Sequence, residues 1–123
     1  MNVVDSAAWL EYFAGGPGAR QFSGAIDDAD QLIVPVVVFY EVLERVLAQR
    51  GEDAALRAVA FMERGTVVDV NPSLALAAAR LSVEHRLPMA DSLILATARA
   101  TDATLWTLDA EFDGLPAVRY FPK

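Results

Sequence analysis

Leu87-Pro88-Met89-Ala90-Asp91-Ser92-Leu93-Ile94-Leu95-Ala96-Thr97-Ala98 is the stretch on which the reading of this chain turns. It predicts a helix with Pro88 at the first position, where the fixed φ of proline is already helical and its missing N–H would be unpaired in any case. Leu93, Ile94, Leu95, Ala96 and Ala98 leave almost no polar face, so the helix is expected to be buried on most sides. Its first turn carries one carboxylate, Asp91. A negative charge is favoured near a helix N-terminus, so a capping role would explain Asp91 on its own. Its interest comes from other acids at corresponding places along the chain.

Towards the N-terminus, Asn2-Val3-Val4 is a short apolar strand that ends at Asp5. Ser6 is placed to cap the helix that follows, and Gly15-Gly16-Pro17-Gly18 breaks it. A second helix is expected over 19–29 and a strand at Gln31-Leu32-Ile33-Val34. Pro35 then opens a helix over 36–50, stopped by Gly51, with Val36, Tyr40, Leu43 and Leu47 as its core stripe. Glu41 lies to one side of that stripe, and either a solvated pairing with Arg45 four residues on or a functional role fits it. Further helices are expected over 52–63 and 74–84, the second capped by Asn71-Pro72, with a strand at Thr66-Val67-Val68-Asp69-Val70 between them. After the Asp91 helix, Thr104-Leu105-Trp106-Thr107 makes a fourth strand with Asp109 just past its end. Ala117-Val118-Arg119-Tyr120-Phe121 makes a fifth, short edge strand. Strands alternating with helices imply an α/β fold around a mainly parallel sheet of four to five strands, with the site beyond the carboxyl ends of the strands.

The chain has 123 residues, enough for one domain over 1–123, and 54% hydrophobic residues supply its core. No apolar run approaches the roughly 20 residues that span a bilayer. The N-terminus lacks a basic segment and an apolar signal region, and there is no cysteine for a disulfide framework, so a cytoplasmic protein without a membrane partner is expected. A net charge of −7 argues against a nonspecific nucleic-acid coat but leaves room for an enzyme that holds cations in an acidic pocket. Nine of the ten basic residues are arginine and the tenth is Lys123, so bidentate phosphate contacts are available and a catalytic amine is not.

Asp5, Asp109, Asp91 and Glu41 can therefore converge on one edge of the sheet. Carboxylates brought that close raise one another's pKa unless a cation sits among them. Mg²⁺ and Mn²⁺ take such oxygen ligands together with waters and phosphate oxygens, which suggests phosphodiester chemistry in which a metal-activated water attacks. Other constellations fail. There is no Gly-rich phosphate loop with its lysine, and the only histidine, His85, is expected at the surface, which removes zinc and Ser-His-Asp sites. Trp9, Tyr12, Phe13, Phe39 and Tyr40 read as mostly core, and Asp27, Asp28 and Asp30 as a solvated turn.

The ordered set Val3-Val4-Asp5-Ser6, then Pro35 to Leu43 around Glu41, then Asp91 to Ala98, then Leu105-Trp106-Thr107-Leu108-Asp109 resembles the PIN domain ribonucleases, in particular the VapC toxins of toxin–antitoxin pairs. The resemblance covers about residues 2–121. It implies a three-layer α/β/α domain and a Mg²⁺- or Mn²⁺-dependent endoribonuclease that is neutralised by a VapB-like antitoxin and is usually homodimeric. Carried over by position, Asp5, Glu41 and Asp91 match the family's first three acids and Asp109 its fourth, while Ser6 and Thr107 match hydroxyls that hold the carboxylates. One departure stands out. Many members carry Thr-x-Asn-x-x-Asp-Phe near the end, whereas this chain has Thr107-Leu108-Asp109-Ala110-Glu111-Phe112-Asp113, one residue shorter before the Phe. The fourth ligand is thus Asp109, Glu111 or Asp113. Asp109 is expected as the nearest to the strand end, with Glu111 or Asp113 acting through water if at all. Two other readings remain. One is a catalytically silent binding module of the same family. The other is a phosphoacceptor signalling domain of flavodoxin-like type, for which Lys123 is a poor pocket lysine.

Overall fold

The computed structural model describes all residues, 1–123. Its elements run β1 (Asn2–Val4), α1 (Ser6–Ala14), α2 (Ala19–Asp27), β2 (Leu32–Pro35), α3 (Val36–Met62), β3 (Thr66–Val68), α4 (Pro72–His85), α5 (Met89–Ala100), β4 (Thr104–Thr107) and β5 (Val118–Tyr120). Two 3₁₀ turns, Ala29–Gln31 and Ala110–Phe112, precede β2 and follow β4. The five strands form one sheet in the order β3-β2-β1-β4-β5, and every pairing is parallel. Helices flank the sheet in a three-layer α/β arrangement, as the alternation of elements predicts.

The central strands are apolar on both faces. Val3, Val4, Val34 and Leu105 are fully buried and Ile33 nearly so, the pattern of a parallel sheet covered on both sides. The edge strand β3 differs, with Thr66 and Val67 open to solvent. The chain runs β1, β2, β3 towards one edge, then crosses back to β4 and β5 on the other side of β1. A crevice therefore opens between the carboxyl ends of β1 and β4, where the winding direction reverses. This order also differs from the flavodoxin-like order 2-1-3-4-5, so the phosphoacceptor reading loses its scaffold.

Three local expectations are corrected. Asp5, with extended backbone at φ −66° and ψ 156°, is the cap of α1, and Ser6 is the first helical residue. Pro35 and Pro88 likewise stand one position outside their helices, with ψ of 139° and 159°. A proline there still sets the entry φ but leaves its carbonyl to open the helix. The third correction concerns α3, whose buried face is Val38, Val42 and Val46, while Tyr40 is 65% and Leu47 50% exposed. The first half of α3 is apolar around most of its circumference, so periodicity alone allowed two inner faces. The Tyr40 face also carries Glu44, which accepts a hydrogen bond from the Tyr40 hydroxyl at 2.8 Å. Turning that face inward would bury a charge and a hydroxyl at a cost of several kcal/mol, and the valine face carries neither. Gly51, at φ 84° and ψ −176°, divides α3 into two helical halves, as expected at that position.

Candidate active site

The site is built where β1 and β4 end. Their register aligns Val4 with Trp106, so Asp5 leaves the sheet beside Thr107, and the Asp5 amide donates to the Trp106 carbonyl at 3.0 Å. Asp5 is only 5% exposed, and both its carboxylate oxygens are occupied. One accepts from the Ser6 amide at 2.7 Å and the other from the Thr107 hydroxyl at 2.8 Å. The Thr107 oxygen in turn accepts from the Asp109 amide at 2.9 Å, so one buried hydroxyl fixes the positions of two acids. Ser6 donates its hydroxyl to Glu41 Oε1 at 2.6 Å, which ties the first turn of α1 to α3. Glu41 makes no ion pair with Arg45; the only ion pair in the molecule joins His85 to Glu84 at 3.7 Å. Its solvated-pair reading therefore falls away.

Beyond β4 the shortened segment forms the 3₁₀ turn. Asp109 caps it by accepting from the Glu111 amide at 2.9 Å, and Phe112 anchors it in the core with no exposure. This turn swings Glu111 back over the first turn of α5. Ligand oxygens of Asp91, Asp109 and Glu111 all lie within 4.8 Å of one another. Asp5, Ser6, Glu41, Asp91 and Asp109 line a cavity of about 700 Å³, with Tyr120 and Lys123 also on its wall. Asp113 closes the 3₁₀ turn as an exposed residue outside this group. The structure thus brings Asp5, Glu41, Asp91 and Asp109 to one cavity and adds Glu111 to them. Sequence reasoning did not foresee Tyr120 or Lys123 on the wall. The only signal for Tyr120 was its place at the end of the fifth strand.

The crowding shows in the titration of the acids. Burial pushes the Asp91 carboxyl up from 3.8 to about 7, helped by the charges of Asp5 and Asp109 and by a hydrogen bond and charge from Glu111. Asp5 rises from 3.8 to about 6, again chiefly through burial. The hydrogen bonds from Thr107 and Ser6 oppose that rise, and the charges of Glu41 and Asp109 add to it. An acidic cluster that holds protons near neutral pH is one that a cation would relax. The donors are all oxygens, the chain has no cysteine, and His85, the last residue of α4, is neither in the carboxylate group nor on the cavity wall. That set fits a hard divalent ion such as Mg²⁺ or Mn²⁺ and does not fit zinc.

The PIN domain family model matches residues 3–118. No curated protein matches the sequence. Among solved structures, the chain is similar to a protein of a toxin–antitoxin complex from Klebsiella pneumoniae, with 20% identity, TM-score 0.86, and 100% of each chain covered. It is also similar to the sarcin–ricin loop cleaving toxin VapC20 of Mycobacterium tuberculosis, with 19% identity, TM-score 0.77, and 94% of this chain and 95% of that one covered. A third is in a DNA-bound VapBC complex from Salmonella typhimurium, with 15% identity, TM-score 0.74, and 98% and 96% covered. At these identities the likeness establishes the fold.

Proposed function

The chain belongs to the PIN domain family, and from that premise we propose that it is a metal-dependent endoribonuclease of the VapC toxin type, a single domain that acts in the cytoplasm. The observation that carries the reading is the gathering of five carboxyl groups, from Asp5, Glu41, Asp91, Asp109 and Glu111, at the carboxyl edge of one parallel sheet. A Mg²⁺ or Mn²⁺ ion bound there supplies charge neutralisation for a phosphodiester and activation of water. Asp91, Asp109 and Glu111 would hold it, with Asp5 on the wall of the same cavity as a further ligand. Thr107 and the Ser6 amide keep Asp5 oriented and favour its charged form. Ser6 occupies one oxygen of Glu41 and leaves the other without a protein partner, free to accept a proton from the attacking water. In the reaction, water adds to phosphorus, one bridging P–O bond breaks, and the leaving oxygen takes up a proton.

The similarity to proteins of toxin–antitoxin complexes supports a VapB-like antitoxin as the partner in this proposal, and the similarity to a sarcin–ricin loop cleaving toxin supports an RNA substrate; a second copy of the chain is proposed from the family resemblance. The test is cleavage of a mixed RNA pool by purified protein in Mg²⁺ or Mn²⁺, with EDTA and Asp91→Ala as controls. Cleavage abolished by both controls is the expected result. Cleavage that survives Asp91→Ala, or none in a folded and metal-supplied sample, overturns the reading.

A further inference from the structure

Besides its carboxylates, the acid cavity has a wall of Leu108, Ala110, Tyr120 and Pro122, supplied by the segment after β4 and by the end of β5 with the residues after it. Tyr120 is the one aromatic ring on the cavity wall, and it is half-buried. Of the three tyrosines, Tyr12 donates its hydroxyl to Asp27 and Tyr40 to Glu44, each at 2.8 Å, and only the Tyr120 hydroxyl has no protein partner.

The ring is also held in place. Tyr120 pairs in register with Thr107, and the Phe121 amide donates to the Thr107 carbonyl at 2.8 Å. The residue whose hydroxyl orients Asp5 and Asp109 therefore fixes the backbone of Tyr120 as well. Side chains alternate along a strand, so Arg119 and Phe121 project to the other face of the sheet. There the Arg119 guanidinium lies 4.2 Å over the Trp106 ring, Phe121 stacks on Trp106 at 5.8 Å, and Trp106 Nε1 donates to Asn2 at 2.9 Å. That cluster anchors a strand of only three residues from behind, so Tyr120 meets the cavity on a fixed backbone.

We propose that Tyr120 seats the nucleobase beside the phosphate on which the acids act, with the base stacked on its ring. The inference rests on the nuclease reading for the bond that is cut, and on the cavity wall alone for the seat. The carboxylates and a cation among them can take a phosphate, but a nucleotide also brings a flat, largely apolar base. The cavity, at about 700 Å³, falls in the range of pockets that enclose a whole small ligand. An aromatic ring serves any base, because every base has a π-face, and a tyrosine loses little conformational freedom in making the contact. A tyrosine that only completed the core would bury its ring or pair its hydroxyl, and Tyr120 does neither.

The test is binding of the four nucleoside 5′-monophosphates and of ribose 5-phosphate in Mg²⁺, followed by NMR shift changes. Ribose 5-phosphate carries the same phosphate and sugar without a base, so the ratio of affinities reads the seat alone. Loss of one stacked base weakens binding roughly tenfold to a hundredfold, so the parent is expected to prefer at least one monophosphate by about tenfold or more. Y120F keeps the ring and is expected to hold that ratio within about threefold. Y120L keeps an apolar side chain without the flat face and is expected to bring the ratio to about one. A parent that prefers no monophosphate over ribose 5-phosphate, or takes up none of these ligands, overturns the proposal. So does a ratio that Y120L leaves unchanged. A loss in Y120F equal to that in Y120L makes the hydroxyl, not the ring, the contact and overturns it too. Unchanged affinity for ribose 5-phosphate shows that a variant keeps the rest of the site, and Y120M gives a second reading if Y120L is unstable. Monophosphate binding needs no cleavage, so a parent that has the seat yet never cuts RNA refutes the nuclease reading and leaves the seat in place. A parent that cuts RNA but prefers no monophosphate does the reverse. Where RNA is cut, Y120L is expected to raise KM about tenfold with kcat within about twofold, and a fall in kcat alone overturns the seat.

Discussion

Replacing Asp91 by Asn is expected to stabilise the cation-free protein while disabling it. Asn keeps the shape and can still hydrogen-bond Glu111, and it removes one of four mutually repelling charges, those of Asp5, Asp91, Asp109 and Glu111. The Asp91 carboxyl is moved from 3.8 to about 7. At 1.36 kcal/mol per pH unit the full effect is about 4 kcal/mol. Asp91 is half-exposed, and solvent screening reduces this to roughly 1–2 kcal/mol. For a chain of this size that is a rise in Tm of roughly 4–8 °C. The sign follows from proton uptake. Between the unfolded value near 3.8 and the folded value near 7 the native state holds a proton that the unfolded state has lost, so stability falls as pH rises through that window. The advantage of the variant is therefore full above about pH 7, shrinks on acidification and is gone by about pH 4.

The assay is thermal unfolding of both proteins in EDTA from pH 4 to 8, repeated with Mn²⁺. The ion reverses the order: at a hundred times its Kd it adds about 2.7 kcal/mol to the parent, and little to a protein that has lost a ligand. A variant that melts below the parent in EDTA at pH 8 would refute the reasoning. So would a difference that does not change with pH, because the acids would then not be strained against one another.

Two further predictions concern the supports of the site. Thr107→Val removes the hydroxyl that donates to Asp5 and accepts from the Asp109 amide, and is expected to cost about 1–3 kcal/mol in urea unfolding. Because that bond lowers the Asp5 pKa, the acidic limb of the pH–cleavage profile should also move to higher pH, and an unmoved limb would count against Asp5 as an essential base-form acid. Gly51→Ala puts a side chain on a backbone at φ 84° and ψ −176°, a region essentially restricted to glycine. A loss of about 1–3 kcal/mol is expected from the urea midpoint with unchanged m-value, and a neutral result would mean that the two halves of α3 can join without the kink.

The sheet was legible because its strands are short apolar runs punctuated by Asp5, Pro35 and Gly65, and because each of the first three is followed by a helix with its own cap or breaker. The inner face of α3 was not legible. Where a helix is apolar almost all round, period tells that it is buried but not which side. The choice between faces was made by Glu44 and the Tyr40 hydroxyl, which needed solvent, and by the tie between Ser6 and Glu41, which joins residues 35 apart in sequence. A wheel drawn on one helix contains neither constraint. His85 illustrates a smaller limit of the same kind. It was expected at the surface, and its side chain is 25% exposed beside Glu84, as the last residue of α4.

The acids themselves divide in the same way. Asp5 and Asp109 follow strands and Asp91 opens a helix, so their common edge is dictated by topology and can be read from one dimension. Glu111 could not be placed so, because its position depends on how the chain folds between the end of β4 and the buried Phe112. The segment before that Phe closes as the 3₁₀ turn Ala110–Phe112. Its cap is Asp109, whose carboxylate already accepts from the Glu111 amide. The same turn that spends part of Asp109 on the backbone brings the Glu111 carboxyl beside Asp91. In the proposed site this turn would divide the part of the fourth acid between two residues: Asp109 fixes the turn and faces the cavity, and Glu111 adds a further charge beside it.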